Sequence, residues 1–132
     1  MNNTRLKAPV ELNVAADASM MLVIRLTTAG VIARAGLTVD VMDNLKMAAE
    51  EACNCLIGQQ TPPERLFLRY ACEENALSIR IATGECDDCA CEGADETELE
   101  SVRCILESLT DRVDFDLCDG RIRAIELRAD LM

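Results

Sequence analysis

Histidine and tryptophan are missing from this 132-residue chain, and its aromatics amount to Phe67, Phe115 and Tyr70. Without histidine there is no Ser-His or Cys-His nucleophile pair, no imidazole base and no His-containing zinc site, so any chemistry must run on carboxylates or thiols. So few aromatics in an acidic chain leave neither the stacking groups nor the basic surface that nucleic acids require, which argues against direct DNA or RNA contact. Long apolar runs are also scarce, none approaching the roughly 20 residues of a membrane span. Nor does Met1-Asn2-Asn3-Thr4-Arg5 carry the apolar stretch of a secretory leader. The expectation is a cytoplasmic protein with no membrane contact.

What is present suits one compact domain over residues 1–132. Half of the residues are hydrophobic. A chain of this size buries roughly two-thirds of the surface that its unfolded form exposes, so aliphatic packing suffices without disulfide or metal staples. The 13 basic and 24 acidic side chains give a formal charge of −11. Residues 1–72 carry seven of each sign, so the imbalance belongs wholly to residues 73–132, with six basic and 17 acidic. Within 85–100 stand eight acids (Glu85, Asp87, Asp88, Glu92, Asp95, Glu96, Glu98 and Glu100) and no Lys or Arg. Such a block repels itself and any approaching anion, and it reads as an extended loop.

Periodicity supplies the elements. Val10-Glu11-Leu12-Asn13-Val14 alternates as a strand, and Asp17 can cap a helix from about 18 to 36, closed by Gly36. That helix holds Met20, Met21, Leu22, Val23, Ile24, Leu26, Ala29, Val31, Ile32 and Ala33, too much apolar surface for one stripe. Such a helix is either deeply buried or has a second partner. A second helix from Thr38 or Val39 to about Leu56 repeats Leu45, Ala48 or Ala49, Ala52 and Leu56, and ends at Gly58. Leu66, Leu68 and Tyr70, then Leu77, Ile79 and Ile81, form a hairpin around Glu73-Glu74-Asn75. A third helix spans about 95 to 110. Val113, Phe115 and Leu117 face Ile122, Ile125 and Leu127 across Asp119-Gly120, a strong hairpin signal. The fold class is therefore α+β: a two-layer α/β sandwich, with a mostly antiparallel sheet of about five strands and three helices on one face.

This order, with Asn44-Leu45-Lys46-Met47-Ala48-Ala49-Glu50-Glu51-Ala52-Cys53-Asn54-Cys55, resembles the anti-sigma-factor serine/threonine kinases of sporulation and general-stress switches, which belong to the histidine-kinase-like (GHKL) ATPase superfamily. The resemblance extends to Val23-Ile24-Arg25-Leu26, Ala35-Gly36-Leu37 and the run from Leu106 to Asp114. It implies an ATP and magnesium site, a sigma factor or anti-anti-sigma protein as partner, and a homodimer. In that family a Glu on the second helix serves as general base, and an Asn four residues later binds magnesium. Here the register gives Glu51 as the base and Cys55 where the Asn belongs, while Glu50 and Asn54 keep the spacing one residue out of register. Magnesium wants hard oxygen donors, so Cys55 is a poor ligand. The adenine-reading Asp that the resemblance implies before a glycine is absent near Thr83 and Gly84. Glu100-Ser101-Val102-Arg103-Cys104 lacks the glycines that let backbone approach phosphates. The acidic, Cys-rich loop at about 84–98 stands in place of the ATP lid. The site reads as degenerate, and the expectation is no cofactor.

Of the eight cysteines, Cys86, Cys89 and Cys91 have informative spacing. They could share zinc, with Cys104 or Cys118 as a fourth ligand, or form a redox-responsive loop; the alternative is ordinary use of a small residue. Three functions follow. The first is an anti-sigma-like regulator that binds its partner in a partner-switching system through Met20, Met21 and Arg25. The second is an active ATP-dependent serine kinase using Glu51, and the third a metal or redox sensor built on the Cys86–Cys91 loop.

Overall fold

The structure is a computed structural model that describes residues 6–59, 62–73, 75–84, 96–118 and 121–131. Along the chain come β1 (Val10–Ala15), a single 3-10 turn (Ala18–Met20), α1 (Met21–Ala35), α2 (Val39–Ile57), β2 (Arg65–Glu73), β3 (Ala76–Ala82), α3 (Glu96–Leu109), β4 (Arg112–Cys118) and β5 (Arg121–Asp130). The expected α+β class holds, with a five-stranded antiparallel sheet in the order β1-β2-β3-β5-β4.

Local chemistry sets the boundaries. Asp17 does cap, but the first element that it caps is the 3-10 turn: its Oδ1 accepts from the Ser19 amide at 3.1 Å, and α1 proper begins at Met21. Gly36 ends α1 in the left-handed region at φ 78°, where an L side chain would clash with its own carbonyl. Thr38 caps α2 by accepting from the Val41 amide at 3.4 Å, and Asp40 complements the helix dipole in the first turn. Asn75 turns β2 into β3 with φ 63°, a conformation that asparagine tolerates better than most residues. Asp119-Gly120 lies outside the described residues, but pairing reaches Cys118 and Arg121 on either side of it.

Register places Leu12, Leu68, Ile81, Ile125 and Phe115 abreast, and next to them Val10, Tyr70, Ile79, Leu127 and Val113. These rows form the covered face. Tyr70 meets Thr28 of α1 through a hydroxyl pair at 2.7 Å, and Phe115 lies under Arg103 of α3, so both helices share that face. Between them runs α2, which packs on both helices and on β3 and β5 through Leu45, Ala48, Ala49, Ala52, Cys53 and Leu56. Small residues along that stripe let the helix lie close to the strands. The opposite face of the sheet carries Glu11, Arg69, Arg80, Glu126 and Asp114 in one row.

Pairing shifts register between Asp116 and Leu117, where β5 accommodates an extra residue, Arg123. There Gln59, just past α2, grips β5: its Oε1 accepts from the Ile122 amide at 2.9 Å and its Nε2 donates to the Ile122 carbonyl at 3.0 Å.

By length and composition, Ala18–Ala35 is apolar enough to cross a membrane, the only such helix among the described residues. The apolar content anticipated for this segment is therefore on the edge of the membrane range. In the fold, one face of it closes the core through Met21, Ile24, Val31, Ile32 and Ala35.

Candidate functional site

The helix layer gathers most of the residues that the sequence singled out, and α2 separates them into two groups. On the α1 side, Arg25 donates through Nε to Glu50 Oε2 at 3.0 Å, forming an exposed ion pair. That hydrogen bond, and then the charge of Glu50, raises the Arg25 guanidinium further above its usual value. Glu50 is thus engaged on the flank that faces α1. One residue later the helix has turned by about 100°, so half-buried Glu51 leaves that flank for the α3 side, with Cys55 one turn further along. Asn54 is exposed on α2's outer surface, and its backbone carbonyl accepts from the Gly58 amide at 2.9 Å. Glu51 and Cys55 therefore share a flank, as the sequence register proposed, whereas the Glu50 and Asn54 pair belongs to the neighbouring one.

Thr83 and Gly84 follow β3. Thr83 is buried, and its amide donates to the Arg123 carbonyl at 3.0 Å, so its backbone is committed to the sheet. Gly84 has φ 78°, and a Cβ there would collide with the Phe67 ring. The glycine is accounted for by backbone conformation and by this ring contact, without reference to a ligand.

These positions do not fit magnesium and a nucleotide. The flank that bears Glu51 offers a half-buried thiol at Cys55 where the metal needs an oxygen, and thiolates are soft donors. The carboxylate with the right spacing to Asn54 is instead held by Arg25. Glu100, Ser101, Val102, Arg103 and Cys104 all lie within α3, so their amides are in a helix rather than a glycine-lined loop.

Two of the three residues expected to meet a partner are placed differently. Met21 is 6% exposed and belongs to the core, and Met20 is half-buried against it; Arg25 is exposed, in the Glu50 pair. This is a correction with a simple cause. Met21 is in phase with Ile24, Thr28, Val31, Ile32 and Ala35, the buried stripe, so it turns inward. The residues that face outward are Leu22, Val23 and Leu26, at 60%, 40% and 65% exposure. The arginines held the signal for this phase. Arg25 and Arg34 must reach water, and a helical wheel places Leu22, Leu26, Ala29, Gly30 and Ala33 between them.

Cys86, Cys89 and Cys91 lie outside the described residues. Cys53, Cys72 and Cys104 are free thiols, and among the described residues no three Cys, Asp or Glu side chains come together as a metal site. Cys53 is fully buried, and burial, with the Glu50 charge adding to it, pushes its thiol up to about 12, so it stays protonated and inert. Burial likewise lifts the Tyr70 phenol to about 12, against the opposing effect of its hydrogen bond with Thr28.

The arrangement thus offers positions poorly furnished for magnesium and phosphates, and a helix whose outward surface carries exposed Leu22, Val23 and Leu26. No protein-family model matches the chain, and no curated protein does.

Proposed function

We propose that the chain is a regulatory protein of the anti-sigma kind, on a histidine-kinase-like ATPase scaffold, that works by holding a transcription regulator and not by phosphoryl transfer. Its partner is a sigma factor or an anti-anti-sigma antagonist, met in the cytoplasm. The observation that carries this reading is α1. Its inner face completes the core, while Leu22, Val23 and Leu26 leave a cluster of aliphatic surface in water, the mark of a surface made for association. The substitution of Cys55 for a magnesium ligand adds support, as does the engagement of Glu50 by Arg25.

The test is capture of partners from native extract by the full-length chain, followed by identification of the bound protein. A sigma factor or antagonist should be retained by the natural chain and released by Leu22→Glu. Recovery of no transcription regulator would overturn the reading. Calorimetry with ATP and magnesium should give no saturable heat. Saturable binding, lost in Glu51→Gln, would instead favour a working kinase.

A further inference from the structure

We infer that Cys118 is bridged to one of Cys86, Cys89 and Cys91, and that this bridge is a thiol–disulfide switch answering to dithiol reductants. The inference goes beyond the functional reading and takes from it only the cytoplasmic compartment. Cys118, half-buried at the end of β4, is disulfide-bonded, alone in this among the described residues. A disulfide takes two cysteines, and of the eight in the chain Cys86, Cys89 and Cys91 are the three outside the described residues. The second sulfur therefore belongs to that run. The sequence also offers Cys118 as a fourth zinc ligand, but in a disulfide it has no thiolate to give a metal.

Strand topology makes the bridge reachable. β3 and β4 both run antiparallel to β5, so they end at the same end of the sheet. There the Thr83 amide donates to the Arg123 carbonyl at 3.0 Å, and Cys118 pairs with Arg121. Gly84 thus leaves the sheet two strand spacings, roughly 10 Å, from Cys118. A disulfide spans about 5.5 Å between Cα atoms, and an extended chain covers about 3.3 Å per residue. Two residues past Gly84, Cys86 is already within reach, and Cys89 and Cys91 have chain to spare.

The surroundings favour a reversible bond. Cytoplasmic thiols are kept reduced, and disulfides that form there are transient or sensing. Two further cysteines of the run stand within five residues of the bridged one, close enough in the chain to exchange with it. In reduction, a thiolate of the dithiol attacks one sulfur of the bridge, and the other sulfur leaves and takes up a proton. The second thiol of the reductant then closes its own disulfide and releases the attacked sulfur, so two electrons and two protons pass to the chain. Exchange with a disulfide oxidant restores the bridge. Eight acids and no Lys or Arg across 85–100 repel anionic glutathione, which leaves neutral dithiols as the better reductants.

Peptide mapping of the full-length chain tests this, after equilibration with hydroxyethyl disulfide, a neutral oxidant, and blocking of the remaining thiols. A cross-linked peptide should join Cys118 to the run and vanish on reduction. It should be absent in Cys118→Ser. Replacing Cys86, Cys89 and Cys91 together by serine, at positions remote from the core elements in sequence, should leave Cys118 open to alkylation. At low salt, dithiothreitol should reduce the bridge about 10-fold or more faster than glutathione at equal thiolate concentration, and the gap should narrow in about 1 M salt. Cys118 still a thiol after oxidation, or bridged to a cysteine outside the run, overturns the assignment. A bridge that survives about a 100-fold molar excess of dithiothreitol in the folded chain overturns the switch. The functional reading fails separately, on capture of no transcription regulator, whatever the state of Cys118.

Discussion

The sheet and helix α1 each have a face turned inward and a face turned out, and they treat the outer one in opposite ways. Along β2 and β3 the covered positions are Leu66, Leu68, Tyr70, Leu77, Ile79 and Ile81, while the exposed ones on the other face include Arg65, Arg69 and Arg80. The charges there are matched across strands: Arg69 with Glu11 at 3.5 Å, Arg80 with Glu126 at 3.6 Å, and Arg123 with Asp116 at 3.0 Å. Such a surface is finished for water. On α1 the residues turned away from the core are as aliphatic as those turned toward it. Alternation in the sheet reports folding alone. In α1 that alternation of faces fails, and Leu22, Val23 and Leu26 stand in water.

The sharpest contrast comes from truncating one aliphatic side chain in each place. Ile79→Ala, under the helices, should cost about 3 to 4 kcal/mol of folding stability in chemical denaturation. Leu26→Ala, on the exposed face of α1, should cost less than about 1 kcal/mol. Equal losses would erase the distinction between the two regions.

Alkaline pH probes the buried side of the same comparison. The ordinary values are 9.0 for Cys53 and 10.0 for Tyr70, and in the folded chain both lie near 12. Between those limits the unfolded chain has released protons that the folded chain still holds, so stability falls as pH rises, by up to about 1.4 kcal/mol per pH unit for each group. Below pH 9 both states are protonated and the two groups add no slope. Cys53→Ala with Tyr70→Phe should flatten the decline in denaturation midpoints above pH 9.

Smaller effects belong to single contacts. Gly84→Ala should cost about 2 kcal/mol, because a side chain there is strained by the backbone and must displace the Phe67 ring. Tyr70→Phe leaves the Thr28 hydroxyl buried without its partner, at a cost of about 1 to 2 kcal/mol, and adding Thr28→Val should recover much of it. Arg25→Ala should leave the melting temperature within error, because its bond to Glu50 is in solvent.

Much of the fold was legible in the sequence because its signals are local. Alternation located the strands, and Thr38, Gly36 and Gly58 marked the helix limits through their own backbone preferences. The outward face of α1 was harder. When apolar residues fill every position, hydrophobic periodicity loses its phase, and Met20 and Met21 looked as available as Leu22 and Leu26. The pairing of Glu50 with Arg25 was also hidden, since the two residues are 25 positions apart and only the packing of α1 on α2 joins them. Gly84 is a different case. As a glycine after a strand it looked like the remnant of a ligand loop, but its reason is an aromatic ring contributed by β2. Charge and composition carry no information about that contact.

Gln59 exchanges one hydrogen bond each way with a single residue of β5, so its amide pairs with the strand in the way a neighbouring strand's backbone would. The arrangement needs nitrogen at one position and oxygen at the other. Hydrolysis of that amide to a carboxylate would set oxygen against the Ile122 carbonyl, so chemical ageing at one residue would unpin the end of α2 from the sheet.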